Sequence, residues 1–249
     1  MPRELRRKNN GFLNFNRTRV TLIKTEFHGF ILSKIYPLLS ASPAFYFFFS
    51  MTIGIDFENQ AFAEGFRFIA GIDEVGRGCL AGAVVAAAVI LDLSKPLPEG
   101  LNDSKKLSEK KRRQIDLEIR ETAIAFSIAQ VEAEEIDRIN ILQATKKAMR
   151  LAIENLQPKA DFLLIDAVQL KEITTPQKAI IKGDTISASI AAASIIAKTY
   201  RDNLMREFDK IYPEYGFVNH VGYGTKAHFE AIRQHGACPL HRKSFRGVL

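Results

Sequence analysis

Along the chain, short dense apolar runs alternate with longer segments whose apolar residues fall three and four apart, the two signatures of buried strands and amphipathic helices. The run Phe66-Arg67-Phe68-Ile69-Ala70-Gly71-Ile72-Asp73-Glu74 climbs to two adjacent carboxylates. It then breaks into Val75-Gly76-Arg77-Gly78, a strand followed by a glycine–arginine–glycine turn. Cys79 to Leu91 is rich in small and β-branched residues, as in a central strand packed on both sides. Pro96 and Pro98 mark a loop leading to Asp103-Ser104-Lys105-Lys106, and Ser108 is placed to cap a charged helix through about Arg120. A strand is expected from Thr122 to Val131, then one helix from Ala133 to Leu156, closed by Pro158. Asp161 to Ala167 reads as another buried strand with a carboxylate at its end, Asp166. Ala179 to Asp184 repeats that pattern, and Ser187 to Lys198 follows as a helix whose small residues allow close approach to a sheet. Thr225 caps a last helix, Lys226 to about Gln234, stopped by Gly236. Such alternation of strands and helices predicts an α/β domain.

Residues 1–50 do not share the pattern. They begin basic, pass through Asn and Thr, and end in Pro43-Ala44-Phe45-Tyr46-Phe47-Phe48-Phe49-Ser50. Lys34, Pro37 and Pro43 interrupt the apolar part, which is too short for a membrane span. The features of a targeting peptide are poorly formed there, and Met51 opens an ordinary domain start. The expectation is a leader over residues 1–50, an over-called start or a dispensable extension, before a domain over residues 51–249 with a helical part from about 203.

This division changes the meaning of the charge. The 249 residues carry a net +7, of which residues 1–50 hold +6. The basic balance therefore belongs to the leader, and a nucleic-acid reading must rest on local groups. Cys79 and Cys238 stand far apart without CxxC spacing, so neither a disulfide framework nor a zinc site is indicated. That usage fits a reducing cytoplasm.

Three apolar runs thus end in acids: Asp73 with Glu74, Asp166, and Asp184. One such ending is ordinarily a solvated strand end, and an Asp before a helix often only caps it. Three of them in a strand–helix alternation gather along one edge of a sheet. Carboxylates without His or Cys suit hard cations such as Mg²⁺ or Mn²⁺. Two such ions about 3.5–4 Å apart can activate water and stabilise the leaving oxygen of a phosphodiester. The glycine turn beside the first pair offers unobstructed backbone groups and one guanidinium, which suits a phosphate and a sugar hydroxyl.

In order along the chain, Gly71-Ile72-Asp73-Glu74-Val75-Gly76-Arg77-Gly78, Asp103-Ser104-Lys105-Lys106, Ile165-Asp166 and Lys182-Gly183-Asp184 closely resemble the motifs of ribonuclease HII. Ala197-Lys198 with Arg201-Asp202, Gly222-Tyr223-Gly224-Thr225, and His241-Arg242 with Ser244-Phe245 extend the match from about Phe66 to Phe245. The resemblance implies a ribonuclease H-like fold, with a mixed central sheet flanked by helices and a C-terminal helical extension. It also implies a metal-dependent endonuclease of RNA–DNA hybrids that incises 5′ of ribonucleotides embedded in duplex DNA, leaving a 3′-hydroxyl and a 5′-phosphate. Carried over by position, Asp73, Glu74, Asp166 and Asp184 are metal ligands for Mg²⁺ or Mn²⁺. Gly76, Arg77 and Gly78 read the 2′-hydroxyl, Tyr223 packs on the deoxyribose, and Lys105 contacts a phosphate. Those roles agree with the chemistry, because the 2′-hydroxyl is what separates RNA from DNA. A cytoplasmic monomer without membrane association is expected.

Some positions depart from the family pattern. Cys79 stands where proline commonly follows the turn, Ala167-Val168 replaces a common Gly-Asn, and Val221 sits where lysine often precedes Gly-Tyr-Gly. His220, His228, His235 and His241 crowd the tail without zinc-like spacing and read as ordinary helix or loop histidines. A ribonuclease HIII-like nuclease is the nearest alternative, but fifty irregular residues are short for its larger N-terminal substrate-binding domain. Junction-resolving nucleases and integrases lack the adjoining glycine motifs. A non-catalytic hybrid-binding protein is the alternative of another class, and the intact acids oppose it.

Overall fold

The computed structural model describes residues 53–249. The expected leader, residues 1–50, lies outside the described residues. Helix α1 (Asp56–Ala63) precedes strand β1 (Ile69–Val75), which pairs antiparallel with β2 (Val84–Ile90). Helix α2 (Glu109–Thr122) leads to β3 (Ala125–Val131), antiparallel to β2. Helices α3 (Ala133–Ile139) and α4 (Ile141–Glu154) lead to β4 (Phe162–Asp166), which runs parallel to β1 and to β5 (Gln177–Ile180). The sheet is therefore mixed, in the order β3-β2-β1-β4-β5. Helix α5 (Ala188–Ile211), a short turn of helix α6 (Phe217–His220) and α7 (Lys226–His235) complete the described chain. Among the described residues no helix is long and apolar enough to cross a membrane.

The alternation along β2 explains the layers. Val84, Ala86, Ala88 and Ile90 face a core that includes Ala144, Ala148 and Met149 of α4. Val85, Ala87 and Val89 face the opposite core with Ile115 and Ile119 of α2 and Ala192 and Ile196 of α5. Period-two side chains on a strand with both faces covered give this near-continuous apolar run. Small residues let α5 lie close to β1, and Gly71 takes the nearest approach: a Cβ there would fall 2.0 Å from the Ser189 backbone carbon. Ser108, Ser187 and Thr225 cap α2, α5 and α7, accepting from Lys111 N, Ile190 N and His228 N. Buried Glu58 adds a carboxylate at the start of α5, accepting from the Ser187 hydroxyl and the Ser189 amide, where an anion meets the positive helix end.

Several expectations need correction, among them the strand expected from Cys79, which begins only at Val84. The helix expected over Ala133–Leu156 is two helices, because Asn140 takes a left-handed φ of 66° and its side chain accepts from Leu142 N and Gln143 N to start α4 anew. The strand expected over Ala179–Asp184 ends at Ile180. Lys182 turns left-handed at φ 57°, so Asp184 sits on the short 3₁₀ turn Gly183–Thr185 rather than on a strand end. Thr122 closes α2, and the strand it was expected to open begins at Ala125.

Candidate active site

Parallel pairing of β1 with β4 aligns Ile72 with Ile165, so the next residues, Asp73 and Asp166, leave neighbouring strands at the same level. The pairing of Asp166 with Ile180 brings the turn carrying Asp184 to the same end of the sheet. The Gly183 amide donates to Asp166 Oδ1 at 2.8 Å, tying that turn to β4. Lys105, on the loop before α2, reaches over this end with Nζ 3.7 Å from Asp184 Oδ2. Arg77 lies 3.1 Å from Glu74 Oε1, joining the glycine turn to the acids. A cavity of about 300 Å³ beside them is lined by Glu74, Val75, Ser104, Lys105, Arg112, Ser194, Lys198 and Tyr223. The nine residues singled out in the sequence thus meet in one region.

The electrostatics of this region are unfavourable to the protein alone. Burial, then the neighbouring Glu74, holds the Asp73 carboxyl well above its ordinary range, although Ser194 donates to it. Burial likewise raises Glu74 against the opposing pull of Arg77. Asp166 is raised by burial too, with Asp184 adding to the shift after the Gly183 amide opposes it. Glu74 Oε2 is buried with no hydrogen-bond partner among the described residues. Crowded, desolvated carboxylates are costly unless cations meet them. Among the described residues no three acidic, histidine or cysteine side chains already enclose an ion-sized space. Each acid instead leans on its own donor: Asp73 on the Glu74 amide, Glu74 on Arg77, Asp166 on the Gly183 amide and Asp184 on Lys105. An all-oxygen donor set with an unpartnered buried oxygen fits a hard divalent cation.

Behind the acids lies a polar layer that joins the motif residues Ser104, Lys198 and Asp202 to Ser194 and Arg112, which belong to none of the motifs. Ser194 Oγ and Ser104 Oγ are 2.8 Å apart, linking the helix beneath Asp73 to the Lys105 loop. Asp202 takes Arg112 at 3.0 Å and Lys198 at 2.6 Å, which fixes α2 to α5 under the same loop. The available signal was three polar residues, Ser194, Lys198 and Asp202, spaced four apart and so on one face of the helix.

The segment after the glycine turn is locked from both sides. Cys79 bridges Tyr223 and Ala81 bridges His241. The Leu80 amide donates to Gly222 O, and the Arg242 amide to Leu80 O, both at 2.8 Å. Three histidines serve this lock: His220 takes the Gly222 amide, His228 Nδ1 meets Tyr223 O at 2.9 Å, and His228 and His241 join through their Nε2 atoms at 3.0 Å. Burial pushes His228 down to about 4, so it is neutral near pH 7. Arg242, beside His241 in the last of the family motifs, is fully buried. Two of the noted departures carry a backbone consequence. Ala167 has φ 50° and Val221 φ 44°, left-handed conformations that burden any side chain and a β-branched one most.

A ribonuclease HII family model matches residues 70–248, which contain every residue of this site. The chain belongs to the ribonuclease HII family. It is 54% identical over 191 residues to ribonuclease HII of Ruminiclostridium cellulolyticum, covering 77% of this chain and 74% of that one. It is 55% identical over 187 residues to the Vibrio parahaemolyticus enzyme, covering 75% and 88%. Among solved structures, ribonuclease HII of Archaeoglobus fulgidus, determined in complex with PCNA, is similar with a TM-score of 0.63 and 26% identity, covering 72% of this chain and 96% of that one. As a ribonuclease HII, the chain is a metal-dependent endoribonuclease acting on RNA–DNA hybrids.

Proposed function

We propose that this ribonuclease HII incises duplex DNA on the 5′ side of an embedded ribonucleotide, leaving a 3′-hydroxyl and a 5′-phosphate. In this reading Asp73, Glu74, Asp166 and Asp184 hold Mg²⁺ or Mn²⁺, Gly76, Arg77 and Gly78 read the 2′-hydroxyl, Tyr223 packs on the deoxyribose, and Lys105 contacts a phosphate. The observation that carries it is the Glu74–Arg77 pair at 3.1 Å, which makes the carboxylate cluster and the glycine turn one continuous surface. Bound divalent cations would supply a water of lowered pKa and charge stabilisation for the leaving oxygen.

The chain's own residues do the rest. Asp73 is held by the Glu74 amide at 2.7 Å, so its carboxylate stays at the end of β1. Lys105 is largely exposed and its charge is favoured by Asp184 and Asp73, which leaves its ammonium facing incoming phosphate. Tyr223 is 41% exposed with its backbone fixed through His228 and Cys79, a rigid ring available for stacking on a sugar. The 2′-hydroxyl both donates and accepts, so backbone groups of a glycine turn can recognise it where bulkier residues would clash. We further assign catalysis to residues 51–249 acting as a cytoplasmic monomer. A protein starting at Met51 is expected to match the full chain in specific activity, and a loss beyond about fivefold would give residues 1–50 a part in catalysis.

The test of the reading is a DNA duplex with one ribonucleotide, incubated with Mg²⁺, Mn²⁺ or chelator. Metal-dependent nicking directly 5′ of the ribonucleotide is expected. Cutting only within longer RNA tracts would overturn the junction assignment, and no cutting with either metal would overturn the catalytic one.

A further inference from the structure

We propose that Arg242, seconded by Arg201, is a positioning residue that aims the Gly78 amide at the substrate. The proposal rests on the reading of the Gly76–Gly78 turn given above. Both guanidiniums are fully buried. Among the described residues neither has a carboxylate within ion-pair distance, an unusual choice when burial of a charge is so costly. Their donors go to backbone carbonyls of the site instead. Arg242 donates through Nε and Nη2 to Gly82 O at 3.0 and 2.8 Å, and through Nη1 to Arg77 O at 3.0 Å. Arg201 donates to Ala83 O, Ala81 O and Val221 O at 3.0, 3.0 and 2.8 Å. Two cations thus grip the turn, its exit and the approach to Tyr223. Arg201 also presses against Gly76, where a Cβ would lie 2.3 Å from its Nε.

The consequence follows from the planar trans peptide, in which C=O and N–H point in opposite directions. With Arg77 O fixed on Arg242, the N–H of Gly78 in the same peptide must face away from that guanidinium. That amide has no acceptor among the described residues. A Cβ on Gly78 would meet nothing within 4 Å, so its surroundings are open. Gly78 does not need glycine for a left-handed backbone; it is Gly76 that has φ 93°. What glycine provides at position 78 is room. A charged donor on the carbonyl also polarises the peptide, making the outward N–H a better donor. Among the described residues, the one backbone hydrogen bond within the turn is a long 3.4 Å contact from the Cys79 amide to Gly76 O, so Arg242 is the group that holds the Arg77 carbonyl.

The experiment compares kcat/KM on a duplex carrying one ribonucleotide with the same duplex carrying 2′-fluoro-2′-deoxyribose at that position. The unmutated protein and the variants Arg242→Lys and Arg242→Gln are measured, with folded fraction taken from circular dichroism. The unmutated protein is expected to favour ribose strongly. Both variants are expected to narrow that ratio by about tenfold or more, through slower cutting of the ribose substrate alone. A structural role alone would lower both rates by one factor, so a ratio unchanged within about twofold in a folded variant overturns the proposal. Arg242→Gln keeps an uncharged donor for Gly82 O and supplies the result where Arg242→Lys does not fold. Absence of discrimination in the unmutated protein would instead overturn the reading of the turn.

Discussion

Asp73→Asn is expected to lower turnover by at least about a thousandfold, roughly 4 kcal/mol of lost transition-state stabilisation, while leaving affinity for an RNA–DNA hybrid within a few-fold. The side chain keeps its shape and its acceptor for the Glu74 amide, so the turn and Tyr223 are undisturbed. What is lost is a charge that a divalent cation needs. The same substitution has an opposite effect on stability. In the protein without metal, the carboxyl is raised by burial and by Glu74, so the folded state prefers it protonated. Such a group favours folding fully below its ordinary value, and that contribution disappears as pH rises through the raised value. The ionised form of Asp73 is therefore a burden on folding, and Asn removes it. A higher melting temperature is expected for the variant in chelator, at about 2–4 °C for each kcal/mol in a domain of this size. Thermal melts with chelator and with Mg²⁺ read both signs: Mg²⁺ raises the unmutated protein and barely moves the variant. Retained turnover would remove Asp73 from the metal ligands.

Gly71→Ala is expected to cause the largest loss of stability of any single methyl addition in β1. The new Cβ would meet the Ser189 carbon at 2.0 Å and the Ile190 nitrogen at 2.3 Å, both backbone atoms that no rotamer change can move aside. Relief requires α5 to slide off β1, and α5 carries Ser194, Lys198 and Arg201 beneath the site. A cost of more than about 4 kcal/mol is expected, above the usual range for overpacking because the obstacle is main chain. Chemical denaturation checks it. Gly65→Ala is the contrasting control: nothing lies within 4 Å of the added atom, and only its φ of 102° opposes the change. A Gly71→Ala protein as stable as the parent would mean that helix and strand are not packed this closely.

The acids were legible because each ends a run of apolar residues, and strands of one sheet collect their ends along one edge. Asp184 was found for a partly mistaken reason. Ile180-Ile181-Lys182-Gly183 has the composition of a strand end, but Lys182 adopts a left-handed backbone that composition does not announce. Asn140 hid in the same way, since apolar spacing continues across it while its side chain restarts the helix. Arg242 was least legible. In sequence it is a matched motif residue with no role attached, and only carbonyls from positions 77 and 82, more than 150 residues away in the chain, make it a buried clamp. Contacts so remote leave no local periodicity. The glycines conveyed more: Gly71 and Gly76 stand where close packing and a left-handed turn exclude a side chain, and Gly78 leaves open space beside its backbone.

The measurement that bears most directly on the central claim is a Mn²⁺ titration of the folded protein, read by calorimetry and electron paramagnetic resonance. The unmutated chain is expected to bind saturably, with affinity reduced at least about tenfold in both Asp73→Asn and Asp184→Asn. Equal Mn²⁺ affinity in all three proteins would contradict the assignment of these carboxylates as the metal centre.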